Sequence, residues 1–417
     1  MDRLRKIFSS AMVFVWICFV IVGIIFLRSY TKGYFNILTI FVSVNFTYLI
    51  IKIILSFITE DRILERDKDY SISVILPCYN ESKEAVVRAL ECLLLQTYQV
   101  KEIFFIDDGS VSDETYLAVK ELVDKPEFKD ILSAIRFEEN GGKKKAQEYG
   151  FSKCSGEIIM LYDSDGEMSE TAVEEMVSNF NDEKVGAVVG AIVPRNASKN
   201  FLTRMQEILY TNSFQLCRRA QSRLGCVTVC SGALSMFRAE IIRENLELFS
   251  RERFFGIKCT TGDDRLLTMI TLKEGYRTVY QGTAVCKTDV PEKVSKYFKQ
   301  QVRWSKSGYI FSLYSLKYLY NRPFSIVFQM LESYLWLFNL VLLIISLFNG
   351  LRINLLTIVI AVIYSILVYY ISCIYYARRN VIRYMYGFVY NFAYGILLCA
   401  IRTYALLTIR YSKWSTR

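Results

Sequence analysis

The chain opens on apolar runs too long for a globular core. Residues 8–27, FSSAMVFVWICFVIVGIIFL, and a second run at about 35–58 each reach the roughly 20 residues that cross a bilayer. A secretory leader competes for MDRLRK and the first run. No small-residue cleavage site follows, however, and the second run comes at once. Two transmembrane helices joined by a short outer loop are expected. They leave Met1 and everything after Thr59 on one side, which the basic leader marks as the cytoplasm. Between about 60 and 320 the pattern changes to short strand-like runs alternating with helical ones. SISVIL precedes a helix from Ser82, EIFFID one from Ser112, and GEIIMLYD one from Ser169. VGAVVGAIV precedes a long amphipathic stretch from Asn200 to Ser222. Such alternation predicts a parallel, doubly wound sheet covered by helices, with ligands at the carboxyl ends of its strands.

From about 324 the chain is apolar again. Runs near 324–347 and 353–376 are long enough to span, and a third at 384–409 is broken by Asn391, Gly395 and Arg402. The loop ARRNVIR at 377–383 is basic and expected in the cytoplasm. A single crossing by 384–409 would put the basic tail RYSKWSTR outside, so that segment is read as re-entrant or doubly crossing. The aromatic stretch 295–320 reads as interfacial. Four regions result: 1–60 with two spans, a catalytic domain over 61–294, interfacial helices over 295–322, and a membrane region over 323–417.

Composition narrows the chemistry. Of 417 residues 53% are hydrophobic and 22% charged, with a net charge of +10. No basic helix or basic–aromatic stripe of nucleic-acid type is present, so the charge points to cytoplasmic loops or a diphosphate ligand. The eleven cysteines form no CxxC pair and read as reduced, buried thiols. Histidine is absent, so acid–base work falls to Asp or Glu and any metal is a hard, oxygen-binding one.

Three acidic clusters close the strand-like runs: Asn80-Glu81, Asp107-Asp108, and Asp163 with Asp165. Two carboxylates one position apart repel unless a cation or ligand lies between them. Asp-x-Asp at a strand end is a compact way to hold Mg²⁺ or Mn²⁺ against a diphosphate, although an isolated DxD is more often a polar turn. In DDGS, Gly109 and Ser110 suit a tight turn, which leaves the two acids unexplained. NGGKKKAQ at 140–147 offers glycine-rich backbone before Lys143, Lys144 and Lys145, without the spacing of a nucleotide-binding P-loop. TGDDRLLT at 261–268 puts Asp263 and Asp264 at a helix start. The helix dipole accounts for them in part, and a general base is the functional alternative. KQQVRW at 299–304 puts Gln300, Arg303 and Trp304 near one helix face, where Arg can clamp phosphate and indole can carry a sugar ring. A snorkelling Arg with a membrane-anchoring Trp is the plain alternative.

PCYNE (77–81), DDGS, DSD (163–165), SGALS (231–235), GDDR (262–265), QQVRW and the terminal WSTR occur in the order seen in processive family 2 glycosyltransferases. As a set they most resemble bacterial hyaluronan synthases, with chitin-oligosaccharide and cellulose synthases as relatives. The resemblance covers about 70–310 continuously, plus the tail. It implies a GT-A-like α/β domain, a mixed and mostly parallel sheet with helices on both faces, embedded between α-helical transmembrane segments. It implies a multi-pass protein of the cell membrane in contact with lipid, with no nucleic-acid partner. By the same resemblance Tyr79, Glu81, Asp107 and Asp108 hold uridine, Lys143 and Lys144 stand by the diphosphate, and Asp163 and Asp165 bind nucleotide and Mg²⁺ or Mn²⁺. Asp264 is the general base supported by Asp263, while Gln300, Arg303 and Trp304 line the acceptor end and the departing diphosphate. Lys145, Ala233 and Ser415 depart from the family pattern, which bears on substrate rather than reaction class.

The reaction so implied is inverting transfer from UDP-GlcNAc and UDP-GlcA onto a growing polysaccharide, threaded outward through the membrane region. Glu332 and Asn339 inside an apolar run would line that passage, or else hydrogen-bond between helices. SRLG (222–225) and KEGYR (273–277) resemble the chitin type, so a β-linked GlcNAc polymer is the second reading. A non-catalytic nucleotide- or glycan-binding membrane protein is the third, and intact DSD, GDDR and QQVRW argue against it.

Overall fold

The computed structural model describes residues 35–410, apart from 60, 62–67, 252, 255–256, 259–261 and 349–354. The first expected span and the WSTR tail lie outside the described residues. One eight-stranded sheet forms the centre of the catalytic domain, in the order β3-β2-β1-β4-β7-β6-β10-β5. Its strands are β1 (Ile72–Cys78), β2 (Glu102–Asp107), β3 (Leu132–Arg136), β4 (Ile158–Tyr162), β5 (Glu167–Met168), β6 (Val185–Pro194), β7 (Leu234–Arg238) and β10 (Arg277–Thr288). Arg253–Phe254 and Ile257–Lys258 make a separate two-stranded pair, β8 and β9. Every residue of β1 and β4 is buried, as helices on both faces of a parallel sheet require.

The expected parallel arrangement holds for β3-β2-β1-β4, and β6 with β10 is parallel too. A wholly parallel sheet does not form: β7 runs antiparallel to both β4 and β6. The reason is local. Leu234 at the start of β7 pairs with Tyr162 at the end of β4, so SGALS descends from the edge where the DSD acids lie. In the parallel half, Cys78 pairs with Asp107 and Ile75 with Leu161, which brings the ends of PCYN, DDGS and DSD to one edge.

The helices start where the sequence suggests. Ser82 caps Lys83–Leu94 by accepting from the Ala85 amide. Asn200 and Thr203 form a reciprocal capping box on Phe201–Thr211. The amphipathic stretch beyond it is not uniform: residues Asn212–Arg218 form a π-helix before Arg219–Arg223 returns to α geometry.

The apolar runs form helices Phe35–Phe57, Pro323–Phe348, Leu355–Ser372 and Phe388–Leu407. Among the described residues, Pro323–Val341 and Phe388–Leu407 are long and apolar enough to cross a membrane. The 384–409 segment holds no reversal: a short helix, Val381–Tyr386, leads through Gly387 into one helix of 20 residues. Its opening residues touch the catalytic side, with the Tyr390 ring 4.5 Å from that of Phe201. So do its closing ones: Tyr404 meets Phe298, and Ile409 packs on the domain core. Asn339 and Asn45 exchange amide hydrogen bonds of 2.8 and 3.0 Å, and Gln221 donates to Glu332 at 2.8 Å. Glu332 and Asn339 thus take the interhelical alternative in this structure. Glu207, on Phe201–Thr211, is buried against Arg379 (3.2 Å), Arg383 (2.8 Å) and the Tyr376 hydroxyl (2.6 Å). That carboxylate locks the catalytic domain to the helices Ile374–Arg379 and Val381–Tyr386.

Candidate active site

The site is built at the carboxyl edge of β1, β2 and β4. Asp107 is buried; one oxygen accepts from the Ser110 amide (3.0 Å) and hydroxyl (2.5 Å), and Arg136 lies 3.4 Å from the other. The Ser110 hydroxyl also accepts from the amide of Asn80, a residue at φ +54, so PCYN and DDGS are tied together. Tyr79 and Glu81 are half-buried beside this turn.

Asp108 faces the NGG loop. Its two oxygens accept from the Gly141 and Gly142 amides, both at 2.8 Å, and from the Asn140 side chain at 3.0 Å. Burial raises its pKa, against the pull of those amides. Asp108 therefore shapes the NGG loop. Gly142, at φ +88, ends that loop and begins the helix Lys143–Lys153 at the edge of the sheet.

The loop delivers Lys143 to the centre. Its ammonium lies 2.5 Å from Asp163 Oδ1. Burial alone would lower its pKa, but Asp163, Asp263 and Asp264 outweigh that and raise it. Lys143 thus marks where the DSD and GDDR acids converge. The Lys144 ammonium sits 4.9 Å from the centre of the Phe249 ring. Lys145 lies 5.6 Å from the Phe137 ring.

Asp165 is buried, with the Thr288 hydroxyl donating to it at 3.1 Å. Asp263 and Asp264 open the helix Asp263–Lys273, behind Gly262 at φ +86. A Cβ on Gly262 would fall 2.2 Å from Ser307 Oγ, so only glycine lets this helix meet Val294–Tyr318, which carries QQVRW. Burial raises the pKa of Asp264, and repulsion from Asp263 adds to it. Arg265 and Lys143 oppose the rise. A carboxyl poised above its ordinary range and fixed at a helix start is suited to general-base work.

Trp304 is 39% exposed, with its ring 6.3 Å from that of Tyr210; Gln300 and Arg303 are half-buried on the same helix. Gln300 Oε1 is buried without a hydrogen-bond partner among the described residues. The geometry therefore joins Asp163 and Lys143 directly, and the charges of Asp263 and Asp264 act on the same ammonium. Asp107 and Asp108 hydrogen-bond the DDGS turn and the NGG loop at the same sheet edge. One site residue has no counterpart in the motifs. Arg218 ends the π-helix with its guanidinium 3.9 Å from the Phe214 ring, donating to the Val229 carbonyl (3.1 Å) and the Ser213 hydroxyl (2.6 Å). Burial lowers its pKa, against Glu332 and Asp264 among other neighbours.

Comparison with known proteins places the chain in a family. Residues 73–246 match the model of "Glycosyl transferase family 2". The hyaluronan synthase of Streptococcus pyogenes serotype M1 is 35% identical over 421 residues, covering 99% of this chain and 98% of that one. The chain belongs to the hyaluronan synthase family. It is a glycosyltransferase, with a GT-A-like fold. An N-acetylglucosaminyltransferase of Azorhizobium caulinodans is 29% identical over 354 residues, 83% of this chain and 87% of that one. Among solved structures, the mannosyltransferase PcManGT from Pyrobaculum calidifontis, in complex with GDP-Man and Mn²⁺, superposes with a TM-score of 0.64. It is 18% identical and covers 91% of this chain and 99% of that chain, a likeness of fold.

Proposed function

We propose that this hyaluronan synthase relative is a membrane-embedded, processive, inverting transferase that builds hyaluronan from UDP-GlcNAc and UDP-GlcA. The observation that carries the chemistry is the half-buried Lys143 ammonium, in contact with Asp163 and under the charges of Asp263 and Asp264. The near full-length likeness to a hyaluronan synthase favours this product over a GlcNAc homopolymer. The shorter likeness to an N-acetylglucosaminyltransferase keeps the homopolymer as the second reading.

In this reading Tyr79, Glu81 and Asp107 receive the uridine at the ends of β1 and β2. Lys143 meets the diphosphate, and the amides at the start of its helix favour the same negative charge. Asp264 takes the proton of the acceptor hydroxyl, whose oxygen attacks the anomeric carbon as the bond from that carbon to the diphosphate oxygen breaks and UDP leaves with the electron pair. Asp263 keeps the base above its usual pKa, and Trp304 with Tyr210 offers aromatic surface to the acceptor.

Asp165, with Asp163, would hold Mg²⁺ or Mn²⁺. No group of three or more His, Cys, Asp or Glu residues able to hold a metal occurs among the described residues. The protein thus offers one or two carboxylate oxygens and leaves phosphate and water to complete the shell, as suits a hard cation on a nucleotide. When bound, such an ion neutralises the charge of the leaving diphosphate.

For the membrane we propose a cytoplasmic catalytic domain. Both ends of Phe388–Leu407 meet catalytic-side groups, which favours a helix lying along that membrane face. The basic tail then stays in the cytoplasm without a re-entrant loop. Membranes containing the full chain, supplied with labelled UDP-GlcNAc and UDP-GlcA singly and together, test the product. Polymer label is expected only when both are present. Label incorporated from UDP-GlcNAc alone overturns hyaluronan in favour of the homopolymer.

A further inference from the structure

The mechanism leaves one buried polar group unused. Gln147 lies four residues beyond Lys143 on the helix Lys143–Lys153, so the two share a helix face. It is 0% exposed, and neither Oε1 nor Nε2 has a hydrogen-bond partner among the described residues. Burying an amide with both ends unmatched is unfavourable, and such groups are uncommon in native folds.

The SGALS loop covers this face. A Cβ built on Gly232 would lie 3.2 Å from the Lys143 ammonium nitrogen and 4.0 Å from Gln147 Nε2. The Ser231 hydroxyl, on the same loop, is also buried without a partner among the described residues. The next residue, Ala233, accepts from the Asp163 amide through its carbonyl at 3.5 Å. Two unmatched polar side chains therefore adjoin the Lys143–Asp163 contact, at a loop position with no side chain.

We propose that Gln147 is a donor-binding residue that hydrogen-bonds the transferred sugar of the nucleotide sugar, with the Ser231 hydroxyl beside it under Gly232. The chemistry selects the sugar over the rest of the nucleotide. A diphosphate presents only acceptors and would leave Gln147 Oε1 facing an oxyanion. A sugar hydroxyl or acetamido group donates and accepts, and so matches both ends of the amide. The nucleoside belongs near Tyr79 and Asp107, across the Gly141–Gly142 loop from this point.

The inference rests on the nucleotide-sugar reading above. Gln147→Leu, Gln147→Glu and Ser231→Ala in the full chain, assayed in membranes, test it through the KM for each UDP-sugar and the affinity for UDP. Losing a hydrogen bond to a buried partner should raise KM for at least one UDP-sugar about tenfold, with UDP affinity within about twofold of wild type. KM values within about twofold in all three variants overturn the proposal. So does a loss of UDP affinity equal to the rise in KM, since the amide then serves the nucleotide or the fold. A misfolded Gln147 variant reveals itself by losing UDP as well, and Ser231→Ala on the loop then decides. Failure of the nucleotide-sugar reading itself would appear in the wild type, as no turnover of either UDP-sugar.

Discussion

Lys143 is the residue on which the electrostatics turn. Its charge favours the ionised form of Asp264, whose pKa burial and Asp263 hold above the ordinary carboxylate value. A base works when deprotonated, so activity should fall with pH along an acid limb set by that raised pKa. Lys143→Met removes a cation that opposes the rise, so the limb should move to higher pH. A pH profile of kcat/KM checks this, and an unmoved limb contradicts the coupling. Because the lysine also meets the donor, KM for the UDP-sugars should rise about tenfold or more. At this scale the sequence tells much about identity and less about direction. The acids at the strand ends are legible because carboxylates closing apolar strands have no structural reason to cluster. That Asp108 turns to the Gly141 and Gly142 amides, or Lys144 to Phe249, depends on which helix face meets the sheet, and three adjacent lysines carry no signal of it.

Among elements, the helix Asp263–Lys273 has the tightest constraint. Gly262 is left-handed at φ +86, and a Cβ there would fall 2.2 Å from Ser307 Oγ. Gly275 has a similar φ of +93, but its Cβ would meet nothing closer than an Arg322 nitrogen at 4.0 Å. Gly275→Ala should therefore lose about 1–2 kcal/mol from backbone strain alone and keep its activity. Gly262→Ala should lose a further ~1–3 kcal/mol from overpacking, and its activity, because the shift displaces Asp263 and Asp264. Thermal unfolding of the purified protein alongside polymer assays separates the two. Equal losses of stability and activity would mean that the contact with Ser307 is not limiting. Strands and caps were readable here from apolar runs and from Ser82 and Asn200. The reversal of β7 was not, since five apolar-rich residues have no direction written in them. Nor was the π-helix, because its change of hydrogen-bond register leaves the apolar periodicity of Asn212–Arg218 almost unaltered.

For the whole molecule, the question is how the catalytic domain is held to the apolar helices. The Asn45–Asn339 pair joins the first described helix to Pro323–Phe348. Replacing either asparagine with leucine strands the other amide in apolar surroundings, at about 0.5–2 kcal/mol. The double variant removes both and should be less destabilised than the sum of the two. Thermal unfolding of the three variants in one detergent checks it; simple additivity would show the pair to be uncoupled. Likewise Glu207→Gln weakens the contacts to Arg379 and Arg383, and should loosen the catalytic domain from the helices Ile374–Arg379 and Val381–Tyr386 before it affects UDP binding. Increased proteolysis within 374–386 would report this, and unchanged cleavage would argue against it. The apolar runs made the long apolar helices legible in outline. Its interhelical pairs could not be foreseen, because register between distant helices is set by packing.

Polymer synthesis depends, in the proposed mechanism, on Asp264 taking the acceptor proton. Asp264→Asn keeps size and shape while removing the basic oxygen. Polymer output from both labelled UDP-sugars, measured beside UDP affinity on the same membranes, is the most direct test. The expected result is loss of polymer by a factor of about 10²–10⁴, as for a removed general base, with UDP affinity retained. Polymer output close to wild type would contradict it.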